Sequence, residues 1–240
     1  MHEARPDPHF ADQHPWLGLV LLLAIAVALS LAPAAWVAPL EILVVFFHEA
    51  AHALATLLTG GKVIEMEVTI DRGGHVLSAG GYRFLILSAG YLGSLAIGCV
   101  LLLAAARSRF DRQVVAALAI LMGLCTVLFV RNGFGFVYGL GMAMLLGACA
   151  YWLSQAINDL VLRVIGVMSL LYVPRDILSD TLVRSHLHSD ARMLAEEFGG
   201  ATQFWGGLWL LIAGVVTLYT LRWTLLHPRA RAAAKPTQQT

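Results

Sequence analysis

Apolar runs about 20 residues long, separated by short polar breaks, make up most of the chain. A helix rises 1.5 Å per residue, so a run of about 20 crosses the roughly 30 Å hydrocarbon core of a bilayer. The pattern predicts six or seven such helices, over 16–37, 40–59, 84–106, 114–130, 134–153, 157–173 and 204–226. Pro33 and Pro39 close the first, Gly60-Gly61 the second and Pro174 the sixth. The split between the fourth and fifth rests on Arg131-Asn132-Gly133 alone. Before the first run lies a polar tail, 1–15, with Arg5 as its one firm cation. That lacks the basic start of a secretory signal, so the run is expected to remain as a helix. A basic tail, 227–240, follows the last run.

Two segments depart from the pattern. Residues 62–83 alternate (Val63, Glu65, Glu67, Thr69) up to Asp71-Arg72-Gly73-Gly74, then resume with Val76 and Ser78. Period-two alternation around a Gly-Gly turn predicts a β-hairpin. Two strands alone are marginal, so the hairpin should lean on the bundle. Glu65 and Glu67 then share its wet face. Residues 175–203 are polar and carry Asp176, Asp180, Asp190, Glu196 and Glu197.

Composition fits this picture. Hydrophobic residues make up 59% of the 240 and charged residues 13%, where a soluble domain has about 25% charged. The expected fold class is therefore an all-α polytopic membrane protein with a small membrane-associated hairpin, residues 1–240 forming one integral membrane domain. The 16 Lys+Arg against 15 Asp+Glu leave a net charge of +1, which excludes the basic surplus of a nucleic-acid binder. Neither nucleic acid nor an organic cofactor is an expected partner. The cations divide evenly between the two sides of a seven-span bundle, so the positive-inside rule leaves orientation open. Cys99, Cys125 and Cys149 lie in apolar runs without a CxxC and read as small buried hydrophobes.

The chemistry concentrates in the second run. His48-Glu49-Ala50-Ala51-His52 is an HExxH pattern. On a helix, i and i+4 share one face, so the two imidazoles can bind one Zn²⁺ at about 2.0–2.1 Å each. Glu49, one step around, can take a proton from water held at the open position and pass it to a leaving amine. Three polar side chains interrupt Ile42 to Phe47 and Ala53-Leu54. A carboxylate at mid-membrane costs about 2.5–3.5 kcal/mol or more, and a metal offsets it naturally. The alternative is a packing site whose His and Glu hydrogen-bond to neighbouring helices. A transporter would need further ionisable groups along a path, and the fourth, fifth and seventh runs carry none in mid-run.

Such a zinc site needs a third protein ligand. The candidates are Asp176, Asp180, Asp190, His75, His186 and His188. Asp176 follows Pro174 at the end of a span and can face the bundle. Asp180 shares its face if the helix resumes after Pro174, so one could ligate while the other orients a ligating His. Either could instead cap a helix. Gly90, Gly93 and Gly98 read as a packing face, and Arg131 and Asn132 as an interfacial anchor.

Four stretches resemble the site-2 type intramembrane metalloproteases, peptidase family M50, and within it the M50B-like branch. They are His48-Glu49-Ala-Ala-His52-Ala53, Gly60-Gly61-Lys62-Val63, Ser88-Ala89-Gly90-Tyr91-Leu92-Gly93, and Asp176-Ile-Leu-Ser-Asp180 with Ser189-Asp190-Ala191. The resemblance spans about 40–200 and is tightest over 48–93. It implies a zinc-dependent endopeptidase of the cell membrane, cutting membrane-protein or transmembrane-helix substrates within the bilayer. His48 and His52 would bind zinc and Glu49 would be the base. Asp176 would be the third ligand, with Asp180 as contender. The hairpin would present substrate as an added strand and face the cytosol. The second, third and sixth spans would form the catalytic core. Departures from the family are the absent Asn before Pro174 and the absent Gly after Asp176. The alternative implied is a non-catalytic M50-like membrane protein with a binding or regulatory role.

Overall fold

The computed structural model describes residues 15–183 and 188–226. Most of the polar N-terminal tail, the basic tail 227–240 and His186 lie outside the described residues. The elements run α1 (Pro15–Leu31), α2 (Ala34–Leu58), β1 (Lys62–Val68), β2 (Gly74–Ala79), α3 (Arg83–Arg107), α4 (Asp111–Phe129), α5 (Gly133–Trp152), α6 (Gln155–Leu178), a π turn (Ser179–Val183), α7 (Asp190–Phe198) and α8 (Thr202–Leu226). Six helices are long and apolar enough to cross a membrane: α2, α3, α4, α5, α6 with its π turn, and α8. The chain is a multi-pass membrane protein.

The helix boundaries differ from the sequence expectation at two prolines. The first helix ends at Leu31, not at 37, because Pro33 biases the residue before it away from helical geometry. At 17 residues α1 is about 25 Å long, short of a full crossing. The Pro33 carbonyl then starts α2 by accepting from Trp36 and Val37, and Pro39 lies inside α2. Pro174, expected to stop the sixth span, is also inside a helix: α6 passes through it to Leu178 and into the π turn. Prolines are tolerated in spans because neighbouring groups re-satisfy the backbone they disrupt.

Burial divides the spans into two classes. The apolar windows of α2, α3 and α6 are 67%, 56% and 61% buried, against 22% for α4, α5 and α8. The first three are the inner helices, as expected for the second, third and sixth spans. Helices α3 and α6 meet backbone to backbone, since a β-carbon on Gly166 would lie 2.9 Å from the Gly98 carbonyl oxygen. Small residues permit that approach where lipid offers no hydrophobic driving force.

The two strands pair antiparallel, with Met66 opposite Val76 and Val68 opposite Gly74. Met66 and Val68 are fully buried against the bundle, while Glu65 and Glu67 are only partly covered. The outer edge of β1 is occupied. The Arg131 amide donates to the Met66 carbonyl (3.1 Å). The Asn132 side chain accepts from the Val68 amide (3.2 Å) and donates to its carbonyl (2.7 Å). The break between α4 and α5, expected as an interfacial anchor, thus also fastens the hairpin. Since Met66 and Val68 turn their backbone groups outward, their partners Val76 and Gly74 do so on the opposite edge. That edge, on β2, pairs with no further strand among the described residues.

Candidate metal centre

Helix α2 presents Glu41, Val45, His48, Glu49 and His52 along one face, at helical spacing. His48 Nε2 lies 3.0 Å from Asp190 Oδ2 and 2.9 Å from His52 Nε2. His52 Nε2 lies 3.1 Å from the same carboxylate oxygen. These residues form the one group of three or more such donors, all within 4.8 Å of one another, among the described residues. Three donors around a tetrahedral ion at about 2.0–2.1 Å stand about 3.3–3.4 Å apart, so the observed triangle is near the size required.

The chemistry of the donor set also fits a cation. His52 Nδ1 lies 2.7 Å from the Ile86 carbonyl oxygen. A carbonyl only accepts, so Nδ1 carries the proton and donates it there, and Nε2 turns its lone pair inward. That lone pair meets the Asp190 carboxylate, an arrangement a shared cation makes favourable. Gly90 leaves the space open: a β-carbon there would collide with Nε2 of both histidines. Gly90, expected to serve packing, lines the donor triangle instead. Gly93, which abuts the Ala51 methyl, does serve packing.

Asp190 reaches the site because α7 is docked by its apolar face. Ala191 and Leu194 are fully buried, Ser189 caps the helix by accepting from the Arg192 amide (3.4 Å), and Arg83 Nη2 bonds Glu197 Oε1 at 2.6 Å. Burial works against the Asp190 charge. A cation shared with His48 and His52 would offset that cost.

The other expected site residues are placed as follows. Glu49 is buried, and its Oε2 makes no hydrogen bond among the described residues. Asp176 and Asp180 line the same cavity, of about 420 Å³, but do not belong to the donor triangle. The structure brings Asp190, rather than Asp176 or Asp180, to the two histidines. Asp180 instead accepts from the Tyr91 hydroxyl, and the Tyr91 ring packs edge-on against His48 at 4.6 Å. His75 and His188 reach the cavity rim. His75 lies on the wet face of β2, its Nδ1 3.9 Å from Glu67 Oε2. Asp190 stood among six candidates in the sequence, distinguished only by the Ser189-Asp190-Ala191 resemblance. Glu41 and Tyr91 had no functional reading.

A helical membrane bundle with an HExxH span, a histidine-histidine-aspartate triangle and a hairpin over the cavity defines a site-2 protease-like membrane protein. The chain matches the family described as Peptidase M50B-like over residues 19–220, and it belongs to that family. No curated protein and no solved structure matches the chain.

Proposed function

We propose that this chain is a zinc-dependent intramembrane endopeptidase of the cell membrane that hydrolyses peptide bonds of membrane-protein substrates, with residues 1–240 as one integral membrane domain. The observation that carries the reading is the convergence of His48 Nε2, His52 Nε2 and Asp190 Oδ2 beside a Glu49 Oε2 that has no partner among the described residues. His48, His52 and Asp190 would hold the metal. When bound, zinc supplies Lewis acidity, polarising a carbonyl and bringing the pKa of water to about 7.

The chain's own residues supply the remainder. Among the described residues Glu49 Oε2 has no competing donor, and it would accept a proton from water and return it to the departing amine. His52 is fixed in one tautomer by the Ile86 carbonyl, which keeps its Nε2 basic. Tyr91, held by Asp180, packs against the His48 ring and limits its rotation. Gly74 and Val76, whose backbone groups turn to the open edge of β2, line the cavity with Glu49, and an extended substrate segment would add there as a strand. A hydrolase buried in a bilayer must admit water, and the polar lining of the cavity provides for it.

The test compares wild type with Glu49→Gln on fluorescence-quenched single-span peptides in detergent, measuring zinc in both. The expected result is cleavage by wild type, none by the variant, and zinc in each. Cleavage by Glu49→Gln overturns the mechanism. A zinc-loaded wild type that cuts none of the peptides supports the non-catalytic alternative.

A further inference from the structure

Glu41 is a carboxylate inside a membrane helix, two turns before His48 on the same face and only 3% exposed. Two arginines from different walls of the cavity reach it. Arg72, in the hairpin turn, places Nη1 2.6 Å from Glu41 Oε2. Arg175, the residue before Asp176 on α6, places Nη1 3.3 Å from Oε1. Each carboxylate oxygen thus serves one arginine. Among the described residues, Arg72 is the only one other than glycine with a positive φ, 65°. A β-carbon is sterically disfavoured in that region, and a turn position of this kind ordinarily falls to Gly or Asn. An arginine is kept where the backbone disfavours it, and what it gains there is the Glu41 carboxylate.

The turn so fastened sits over the cavity. Arg72, Gly73 and Gly74 line the cavity together with Glu49, and Gly74 abuts the Glu49 carboxylate. We propose that Glu41 is a positioning residue, clamping the hairpin turn through Arg72 and helix α6 through Arg175, so that this three-residue clamp sets how far the hairpin stands above Glu49 and who enters the cavity. The Arg72 bond to the buried carboxylate is charge-assisted and among the stronger kinds of hydrogen bond, while the more exposed Arg175 adds a weaker ion pair. The two arginine side chains are 36% and 70% exposed while the glutamate is buried.

The inference rests on reading this cavity as the active site, but its test needs neither metal nor activity. Val45 lines the cavity between Glu41 and His48. A Val45→Cys reporter is placed in the full chain carrying Cys99→Ala, Cys125→Ala and Cys149→Ala, and its alkylation by a charged, water-soluble maleimide is timed. Adding Arg72→Gly relaxes the turn but removes the clamp. Adding Arg72→Lys keeps the charge. The expected result is labelling about tenfold faster with Arg72→Gly and with Glu41→Gln, and near the parent rate with Arg72→Lys. If Arg72→Gly labels at the parent rate, or Arg72→Lys as fast as Arg72→Gly, the residue serves the turn alone and the clamp is refuted. Zinc content, measured in parallel on the chain with native Val45, separates this outcome from failure of the metalloprotease reading.

Discussion

The α-carbon of Gly74 faces the Glu49 carboxylate so closely that a β-carbon would come within 2.7 Å of Oε1. The hairpin therefore does more than border the site. Its second strand begins at the one residue type that leaves the Glu49 carboxylate undisturbed. That β-carbon would also meet the Glu67 carbonyl oxygen at 2.7 Å, so Gly74→Ala is expected to shift Glu49 and the strand pairing together, lowering kcat by about tenfold to a hundredfold, since a misplacement of about 1 Å has costs of that size. Zinc content should stay at the wild-type level, because the atoms nearest that β-carbon belong to Glu49 and Glu67 and not to the three donor residues. Undiminished turnover by Gly74→Ala would show that Glu49 has room to spare.

Gly90 stands in the same relation to the histidines, and its replacement should have the opposite signature. A methyl group there occupies the space between His48 Nε2 and His52 Nε2. Gly90→Ala is expected to bind well under one zinc per chain, read by metal analysis of the purified protein. Gly93→Ala strains only the contact with Ala51 and serves as the control for helix packing.

Tyr91 connects Asp180 to His48 of the candidate metal centre without belonging to the donor triangle. Tyr91→Phe keeps the ring against His48 and removes the hydroxyl that Asp180 accepts. Outer partners of ligating histidines are worth about tenfold to a hundredfold in metal affinity. Chelator competition should show a loss near the lower end of that range, because the ring contact remains. Zinc affinity equal to wild type would assign the Tyr91–Asp180 bond to packing alone.

Asn132 replaces a third strand on the edge of β1. Asn132→Ala removes two hydrogen bonds to Val68, at a cost of about 1–3 kcal/mol. Amide exchange at Val68 should accelerate while the inner helices keep their protection. Unchanged exchange there would mean that the Asn132 bonds add nothing to the other contacts that hold the hairpin.

The contrast between what was legible in sequence and what was not follows from chemistry. His48, Glu49 and His52 were readable because polar groups in an apolar run carry a large transfer cost that demands a reason. The hairpin was readable because alternation persists over both strands. Asp190 was not singled out, because it lies 142 residues from His48 in an already polar segment, where one more acid costs nothing. Only the docking of α7 by Ala191 and Leu194 brings it in, and that is a tertiary event. Glu41 was hidden at what looked like the start of a span, since Pro33 and not Pro39 marks the helix boundary. The continuation of α6 past Pro174 depends on neighbours that compensate the missing amide, which no local pattern reveals. Gly90 and Gly93 are equivalent in sequence, and only the side chains facing them on α2 tell them apart.

The assignment of the metal triad is tested most directly by zinc stoichiometry of detergent-purified protein: wild type beside His48→Ala, Asp190→Ala, Asp176→Ala and Asp180→Ala. The geometry predicts about one zinc per chain in wild type, its loss in His48→Ala and Asp190→Ala, and its retention in Asp176→Ala and Asp180→Ala. Retention by Asp190→Ala with loss in Asp176→Ala or Asp180→Ala would contradict the triad and move the third ligand to α6 or its π turn.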